Sequence, residues 1–181
     1  FPHPTGGRTE FFMVRHGRTD GNVRQMLVGR TDIPLDQEGI RQAAAVGAYF
    51  HGQPRPDVIV ASPLQRARNT AQAISDLVGI PVEIESEIAE LNFGTFEGRL
   101  WAELMDQEPE FTSQFSNWDV DVHWPGGERL SEFHHRVRSA FSRLAATYAN
   151  HSTIVVSHGG VMGSFISQLL GTPPNDWTRY Q

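Results

Sequence analysis

Two residue types are missing from the 181-residue sequence: it has no cysteine, and all fifteen of its basic residues are arginine. Without cysteine there is no disulfide, no thiolate metal site and no cysteine nucleophile. Without lysine there is no Walker A phosphate-binding lysine and no Schiff-base catalysis. A permanently charged side chain that binds an anion in this protein is therefore an arginine, whose guanidinium group is planar.

The net charge and the lack of long apolar runs indicate which kinds of molecule the chain is not built to bind. The formal net charge of −6 at pH 7 disfavours general binding to nucleic acid or to anionic lipid. No stretch approaches the roughly 20 apolar residues of a membrane-spanning helix, and the apolar run at residues 11–14 is too short for a signal sequence. We therefore expect a cytoplasmic protein with no nucleic-acid partner and no membrane partner.

The length and composition of the chain fit one globular domain. Residues 1–9 are rich in proline and glycine, and we expect them to be a disordered or expression-derived leader. Residues 10–181 are expected to form a single domain whose C-terminal end is incomplete.

Strand signals and helix signals alternate within this domain. Short apolar runs predict buried strands at residues 11–14, 58–61, 82–84 and 153–157. Apolar residues at helical spacing predict helices at about residues 40–50, 64–78, 130–149 and 158–170. The second helix is expected to follow a cap at Ser62, with Gln65 completing a capping box. The alternation predicts an α/β fold in which a mainly parallel central sheet carries helices on both faces.

Polar residues follow three of the predicted strands, at the point where the chain leaves the sheet. They are Arg15, His16 and Gly17 after the first strand, Ser62 and Arg66 after the second, and Ser157 to Gly160 around the end of the last. Parallel strands end at one edge of a sheet, and ligands bind there, so we expect two arginines and two histidines to converge. The helix that begins at Gly159 would direct free amides at an anion. The sequence therefore predicts a phosphate site built without lysine.

Several segments, taken in their order along the chain, resemble the signature of the histidine phosphatase superfamily. The resemblance is to the branch that contains cofactor-dependent phosphoglycerate mutase. They are Val14 to Asn22 with its Arg-His-Gly, Asp32 to Gly39, Ser62 to Ala71, Glu90 to Gly98, Pro125 to Glu128, and Val156 to Gly160. Together they extend over about residues 10–171. The short spacing between Glu90 and His158 is similar to that of broad-specificity phosphatases and α-ribazole phosphatases.

This resemblance implies a phosphomonoester hydrolase that acts on small phosphorylated metabolites without metal or other cofactor. His16 would be the nucleophile that becomes phosphohistidine, and Glu90 the general acid and then the base. The groups that would hold the phosphoryl oxygens are Arg15, Arg66 and His158, assisted by Asn22 and the Gly159 amide. The expected partner is a small-molecule phosphomonoester, and a homodimer is one oligomeric state that the sequence leaves open.

Two positions depart from the family pattern. Arg18 stands where the family often has glutamate, and we expect it to add positive charge near the mouth of the site. Val28 stands where related phosphatases often have glutamine, so one hydrogen bond to phosphate is expected to be missing. The effect of both departures on activity is left open by the sequence.

Two other functions stay open. A phosphoglycerate mutase would share the first half-reaction but needs extra segments that keep water out, and the short Glu90–His158 spacing is compact for that. A non-catalytic phosphate-binding protein on the same fold would ordinarily lack one of the key side chains, and all of them are present.

For the remaining motifs of the sequence we expect structural rather than chemical roles. Asp119 and Asp121 form a D-x-D pattern that does not end an apolar strand, so we expect a polar loop. His134 and His135 are adjacent on a helix and point apart, which disfavours a shared metal site. Glu97 is expected to support a loop. Core or lid packing is expected for Trp101, Phe111, Phe115, Trp118 and Trp124.

Overall fold

A sheet of four parallel strands organises residues 8–116 and 120–172, the part of the chain that the computed structural model describes. The strands are β1 (Glu10–Arg15), β2 (Val58–Ala61), β3 (Val82–Ile84) and β4 (Ser152–Ser157), each within one residue of its prediction. Their order is β1-β4-β2-β3, so β4 lies between β1 and β2. The carboxyl ends of these three strands therefore meet side by side. The predictions for leader residues 1–7, for Trp118 and Asp119, and for the C-terminal end lie outside the described residues.

Helices connect and flank the strands. They are α1 (Asp20–Val23), α2 (Gln37–His51), α3 (Gln65–Val78), α4 (Trp101–Gln107), α5 (Pro109–Thr112), α6 (Leu130–Thr147) and α7 (Gly159–Leu170). Short 3-10 turns lie at Ser86–Ile88, Gly94–Phe96 and Ser113–Ser116. In the long connection between β3 and α6, the described residues thus form only short elements.

Each face of the sheet has its own apolar core, because alternate side chains of a strand point to opposite faces. Val60 and Val155 belong to the core that α6 and α7 cover. Ile59 and Ile154, their neighbours in sequence, belong to the core that α2 and α3 cover. The predicted α/β fold, with a parallel sheet between two helical layers, is confirmed.

The predicted cap at Ser62 is wrong: α3 begins at Gln65, and Leu64 precedes it without a side-chain cap. The first amide of the helix, that of Gln65, instead donates to Oδ1 of Asp32 at 2.6 Å. A carboxylate is favoured there by the partial positive charge at a helix N-terminus. The hydroxyl of Ser62 lies at the end of β2, within hydrogen-bond distance of Nε2 of His158.

The aromatic side chains between β3 and α6 pack together, as predicted. Trp124 is 2% exposed, and its ring lies 5.0 Å from that of Phe111 and 5.4 Å from that of Phe115, centroid to centroid. His134 is buried with Nδ1 2.7 Å from the Ser164 hydroxyl, whereas His135 is exposed. The two histidine side chains therefore do point apart.

No helix within residues 8–116 and 120–172 is both long and apolar enough to cross a membrane.

Gly47 lies where α2 packs closely on α3. A Cβ there would lie 2.5 Å from the backbone oxygen of Ala73. Glycine to alanine within a helix ordinarily stabilises by about 0.5–1 kcal/mol, but we expect Gly47→Ala to destabilise by about 1–3 kcal/mol because α3 must move. Urea unfolding measures the difference. Gly52→Ala, whose Cβ would meet nothing nearer than 3.5 Å, is the control and should change the free energy of unfolding by less than about 0.5 kcal/mol. Equal stability of the Gly47→Ala and wild-type proteins would contradict this close contact.

Candidate active site

His16 is the first residue after β1, and its ring is held in one tautomer. Its backbone amide donates to the carbonyl oxygen of Ser157 at 2.9 Å, which extends the sheet hydrogen bonding into the turn. The ring Nδ1 lies 2.7 Å from the carbonyl oxygen of Gly17. Because a carbonyl oxygen can only accept, Nδ1 carries the proton. The lone pair of the neutral ring is therefore on Nε2.

Arg66, in the first turn of α3, faces that lone pair and is only 1% exposed. Its Nε donates to Nε2 of His16 over 3.3 Å. Its Nη2 donates to the carbonyl oxygen of Gly29 at 2.7 Å, and its Nη1 to that of Thr31 at 2.9 Å. All three guanidinium nitrogens are thus engaged, which fixes the orientation of the planar group beside His16.

The loop that supplies these two carbonyls is held by the carboxylate of Glu97. Oε1 accepts from the Arg30 amide at 2.8 Å, and Oε2 accepts from the hydroxyl of Thr31. Gly29 has a φ of +54°, and a Cβ there would lie 2.2 Å from Glu97 Oε1, so only glycine fits. The predicted loop-supporting role of Glu97 is confirmed, and the supported loop is the one that orients Arg66.

His158, immediately before α7, lies beside His16 with the ring centroids 5.1 Å apart. Its Nε2 is 2.7 Å from the Ser62 hydroxyl. Its Nδ1 is buried without a hydrogen-bond partner among the described residues. Leaving a buried polar group unpaired costs about 1–3 kcal/mol. A ligand oxygen that accepts from Nδ1, while Ser62 donates to Nε2, would satisfy both nitrogens.

Glu90 lies on the irregular segment that follows β3. Its Oε1 accepts from the Leu91 amide at 2.9 Å, and its Oε2 from the Gly160 amide, at the start of α7, at 3.1 Å. The hydroxyl of Ser157, at the end of β4, donates to the carbonyl oxygen of Ile88 at 2.8 Å. These contacts bring the carboxyl group to the same edge of the sheet as the two histidines.

Burial keeps both histidines neutral. Burial has the largest effect on the pKa of His16, and the hydrogen bond with Gly17 opposes it. Together with the charges of Arg66 and Arg15, burial lowers this pKa to about 4. Burial, followed by the charge of Arg66, lowers the pKa of His158 well below its ordinary value. At neutral pH Nε2 of His16 is therefore unprotonated, with its lone pair directed at Nε of Arg66.

The pKa of Glu90 shifts in the opposite direction. Burial raises it above the ordinary value for a glutamate, and the Leu91 and Gly160 amides and the charges of Arg66 and Arg15 oppose this only in part. A raised pKa keeps the carboxyl group protonated to higher pH, which suits a general acid. A neutral imidazole can attack an electrophile, and a protonated carboxyl group at the same edge of the sheet can give its proton to the leaving group.

The remaining predicted site residues occupy different environments. Arg15 is the exposed last residue of β1, close enough for its charge to lower the pKa of His16. Gly159 is buried at the first position of α7. The side-chain oxygen of Asn22 accepts from the amide and the hydroxyl of Thr19. These contacts use Asn22 to cap α1, and its binding to phosphate stays a prediction.

The two departures from the family pattern have structural consequences. Nε of Arg18 donates to Oδ2 of Asp36 at 2.7 Å, so the positive charge expected near the mouth is compensated. Val28 packs against α1, since a Cβ added to Gly21 would lie 2.4 Å from a Val28 methyl group. Within the described ranges, no cluster of three or more histidine, aspartate or glutamate side chains could hold a metal ion.

Sequence reasoning missed three groups that support the site, two backbone carbonyls and one hydroxyl. The Gly29 and Thr31 carbonyls that orient Arg66 carry no side-chain signal, because a backbone carbonyl is common to every residue. The hydroxyl of Ser62 follows a predicted strand, and that position was the available signal for its contact with His158.

Comparison with known proteins shows which family and which solved structures the chain is similar to. Residues 11–181 match the histidine phosphatase superfamily (branch 1). A Yersinia enterocolitica protein named probable phosphoglycerate mutase GpmB is 34% identical over 166 residues, which are 92% of this chain and 77% of that protein. The α-ribazole phosphatase of Shigella flexneri is similar with a TM-score of 0.82 and 30% identity, over 93% of this chain and 83% of that one. The phosphoserine phosphatase of Entamoeba histolytica, in complex with 3-phosphoglyceric acid, gives 0.85 and 28%, over 96% and 86%.

Arg66→Lys is expected to weaken the binding of a phosphate-like anion, because an ammonium group cannot donate in three fixed in-plane directions. A lost hydrogen bond to a charged group is worth about 1.5–3 kcal/mol, so the dissociation constant for orthovanadate should rise about 10- to 150-fold in calorimetric titration. Arg68, exposed on the same helix, is the matched control, and Arg68→Lys should bind vanadate like the wild type. Unchanged binding by Arg66→Lys would show that this guanidinium does not contact the anion.

Proposed function

Because the chain belongs to the histidine phosphatase superfamily, we propose that it hydrolyses phosphomonoesters of small metabolites through a phosphohistidine on His16. The observation that carries this proposal is the neutral His16 ring, whose Nε2 lone pair faces the buried guanidinium of Arg66. Positioning and fixed positive charge supply most of the catalysis of phosphoryl transfer. The likeness to proteins named as phosphatases supports water as the acceptor.

In the first step, Nε2 of His16 forms a bond to phosphorus while the bond from phosphorus to the ester oxygen breaks. Arg15, Arg66 and His158 hold the equatorial oxygens, over which the negative charge spreads. Glu90 gives its proton to the departing oxygen, so that a neutral alcohol leaves. The backbone carbonyl that accepts from Nδ1 stabilises the positive charge of the phosphorylated ring.

In the second step, a water molecule takes the place of the alcohol. Glu90, now a carboxylate, accepts a proton from the water as the water oxygen bonds to phosphorus. The bond from phosphorus to nitrogen breaks, and its electron pair returns to Nε2 of His16. Inorganic phosphate leaves, and Glu90 is protonated again. One ester and one water are consumed, and one alcohol and one phosphate are formed.

A phosphoglycerate mutase is the second candidate, and the likeness to the Yersinia protein favours it. The mutase would use the same phosphohistidine but transfer the phosphoryl group to a phosphoglycerate, whereas the hydrolase transfers it to water. The two functions therefore differ in the acceptor and not in the residues that bind phosphate.

Rapid quench with a phosphomonoester labelled at phosphorus should trap acid-labile label on the wild-type protein and none on His16→Asn. His135→Asn, which changes an exposed histidine, is the matched control and should keep the label. Inorganic phosphate should accumulate one-for-one with the substrate consumed. Isomerisation of 3-phosphoglycerate with catalytic bisphosphoglycerate, and little release of phosphate, would replace hydrolase by mutase, whereas absence of label would reject both.

The pH dependence of kcat/KM separates the roles of His16 and Glu90. With an alkyl phosphate, kcat/KM should fall at low pH as His16 takes up a proton, with a pKa of about 4. It should also fall at high pH as Glu90 loses its proton, above the ordinary pKa of a glutamate. Glu90→Gln should lose the second fall only. The substrate's own ionisation, with a pKa of about 6, cancels in the ratio of the two proteins. A ratio that does not change with pH would contradict the role of Glu90 as the acid.

A further inference from the structure

The main chain around Glu90 is held by the guanidinium of Arg136, on α6. Its Nη1 donates to the carbonyl oxygens of Glu87 and Ala89, and its Nη2 lies 3.4 Å from the carbonyl oxygen of Glu90 itself. The segment supplies little hydrogen bonding of its own, since it contains one short 3-10 turn at Ser86–Ile88. Three of its carbonyl groups therefore accept from one side chain of a neighbouring helix, and the carbonyl oxygen of Glu90 also accepts from Nε of Arg30 at 3.4 Å.

The carboxylate of Glu128 binds both the Arg136 guanidinium and the main chain after Glu90. Its Oε1 lies 2.8 Å from Nε of Arg136, and its Oε2 lies 3.0 Å from Nη2, which is the two-point arrangement that strengthens arginine–carboxylate pairs. Oε2 also accepts from the Asn92 amide at 2.9 Å. The two side chains are 10% and 16% exposed. Together they bind the main chain on both sides of Glu90, through carbonyl groups before it and an amide after it.

We propose that Arg136 and Glu128 are positioning residues for the general acid, an inference that rests on the proposed hydrolysis. Neither side chain touches a reacting atom in this scheme. They fix the backbone of Glu90, so that its carboxyl group stays where the Leu91 and Gly160 amides meet it. Such placement matters because a displacement of about 1 Å can lower a rate about 100-fold.

Arg136→Lys tests the inference, because an ammonium group cannot bind three carbonyl groups and also make the two-point contact with Glu128. For an alkyl phosphate, whose leaving oxygen needs a proton, kcat/KM should fall about 10- to 100-fold. For p-nitrophenyl phosphate, whose leaving group needs little protonation, it should fall less than about threefold. Only steps up to departure of the leaving group enter kcat/KM, so the later role of Glu90 does not interfere. The dissociation constant for vanadate should change less than about twofold, because Arg66 is not displaced.

Arg143 provides the matched control. It lies on the same helix and pairs with Glu85 of the same segment, but at 3.4 Å and with its side chain 52% exposed. Exposed ion pairs contribute little, so Arg143→Lys should leave both rates within about twofold of wild type. Equal losses on the two substrates in Arg136→Lys, or no loss on either, would overturn the inference, because a general loss of structure lowers both rates alike.

Glu128→Gln keeps the inference testable if Arg136→Lys does not fold. It preserves the shape of the side chain but removes its charge, and it should show the same selective loss for alkyl phosphates, to a smaller extent. Glu90→Gln is the reference. If Glu90→Gln loses alkyl activity selectively and neither Arg136→Lys nor Glu128→Gln does, the positioning inference is wrong and the hydrolysis stands. If Glu90→Gln shows no selectivity, the proposed acid and the inference fail together.

Discussion

The buried charge of Arg66 is the constraint on which the site depends. A guanidinium that is 1% exposed must find its hydrogen-bond partners within the protein, because desolvation of an unpaired charge is costly. Two loop carbonyls and one imidazole meet this requirement. Burial lowers the pKa of Arg66, and the nearby carboxylates of Glu90, Asp32 and Glu97 oppose that shift. The orientation of this cation is thereby fixed by the protein's own groups.

One buried environment also shifts the pKa values of His16 and Glu90 in opposite directions. Loss of hydration disfavours whichever form is charged, so it lowers the pKa of an imidazole and raises that of a carboxyl group. His16 is consequently neutral while the pKa of Glu90 is raised. The Leu91 and Gly160 amides, which donate to the Glu90 carboxyl group, oppose part of the rise in its pKa.

The sequence was sufficient to predict the part of the site that lies at strand ends. Short apolar runs identify strands, and parallel strands end at one edge, which places His16, Arg66 and His158 together. Glu90 has no comparable signal, because its segment lacks periodicity, and only the family resemblance identified it. The local pattern at Ser62 predicts a helix cap, because local sequence cannot show that a hydroxyl contacts a residue at a distant strand end. Such contacts depend on the packing of the whole sheet.

Helices α4 and α5, with the turn that follows them, supply none of the contacts described for the phosphate-binding groups or for the acid. They lie in sequence between Glu97, which supports the loop at Arg66, and Glu128, which supports the segment at Glu90. By its contacts this stretch is a separate module from the site. A change in its length or side chains would remove none of the hydrogen bonds that orient His16, Arg66 and Glu90.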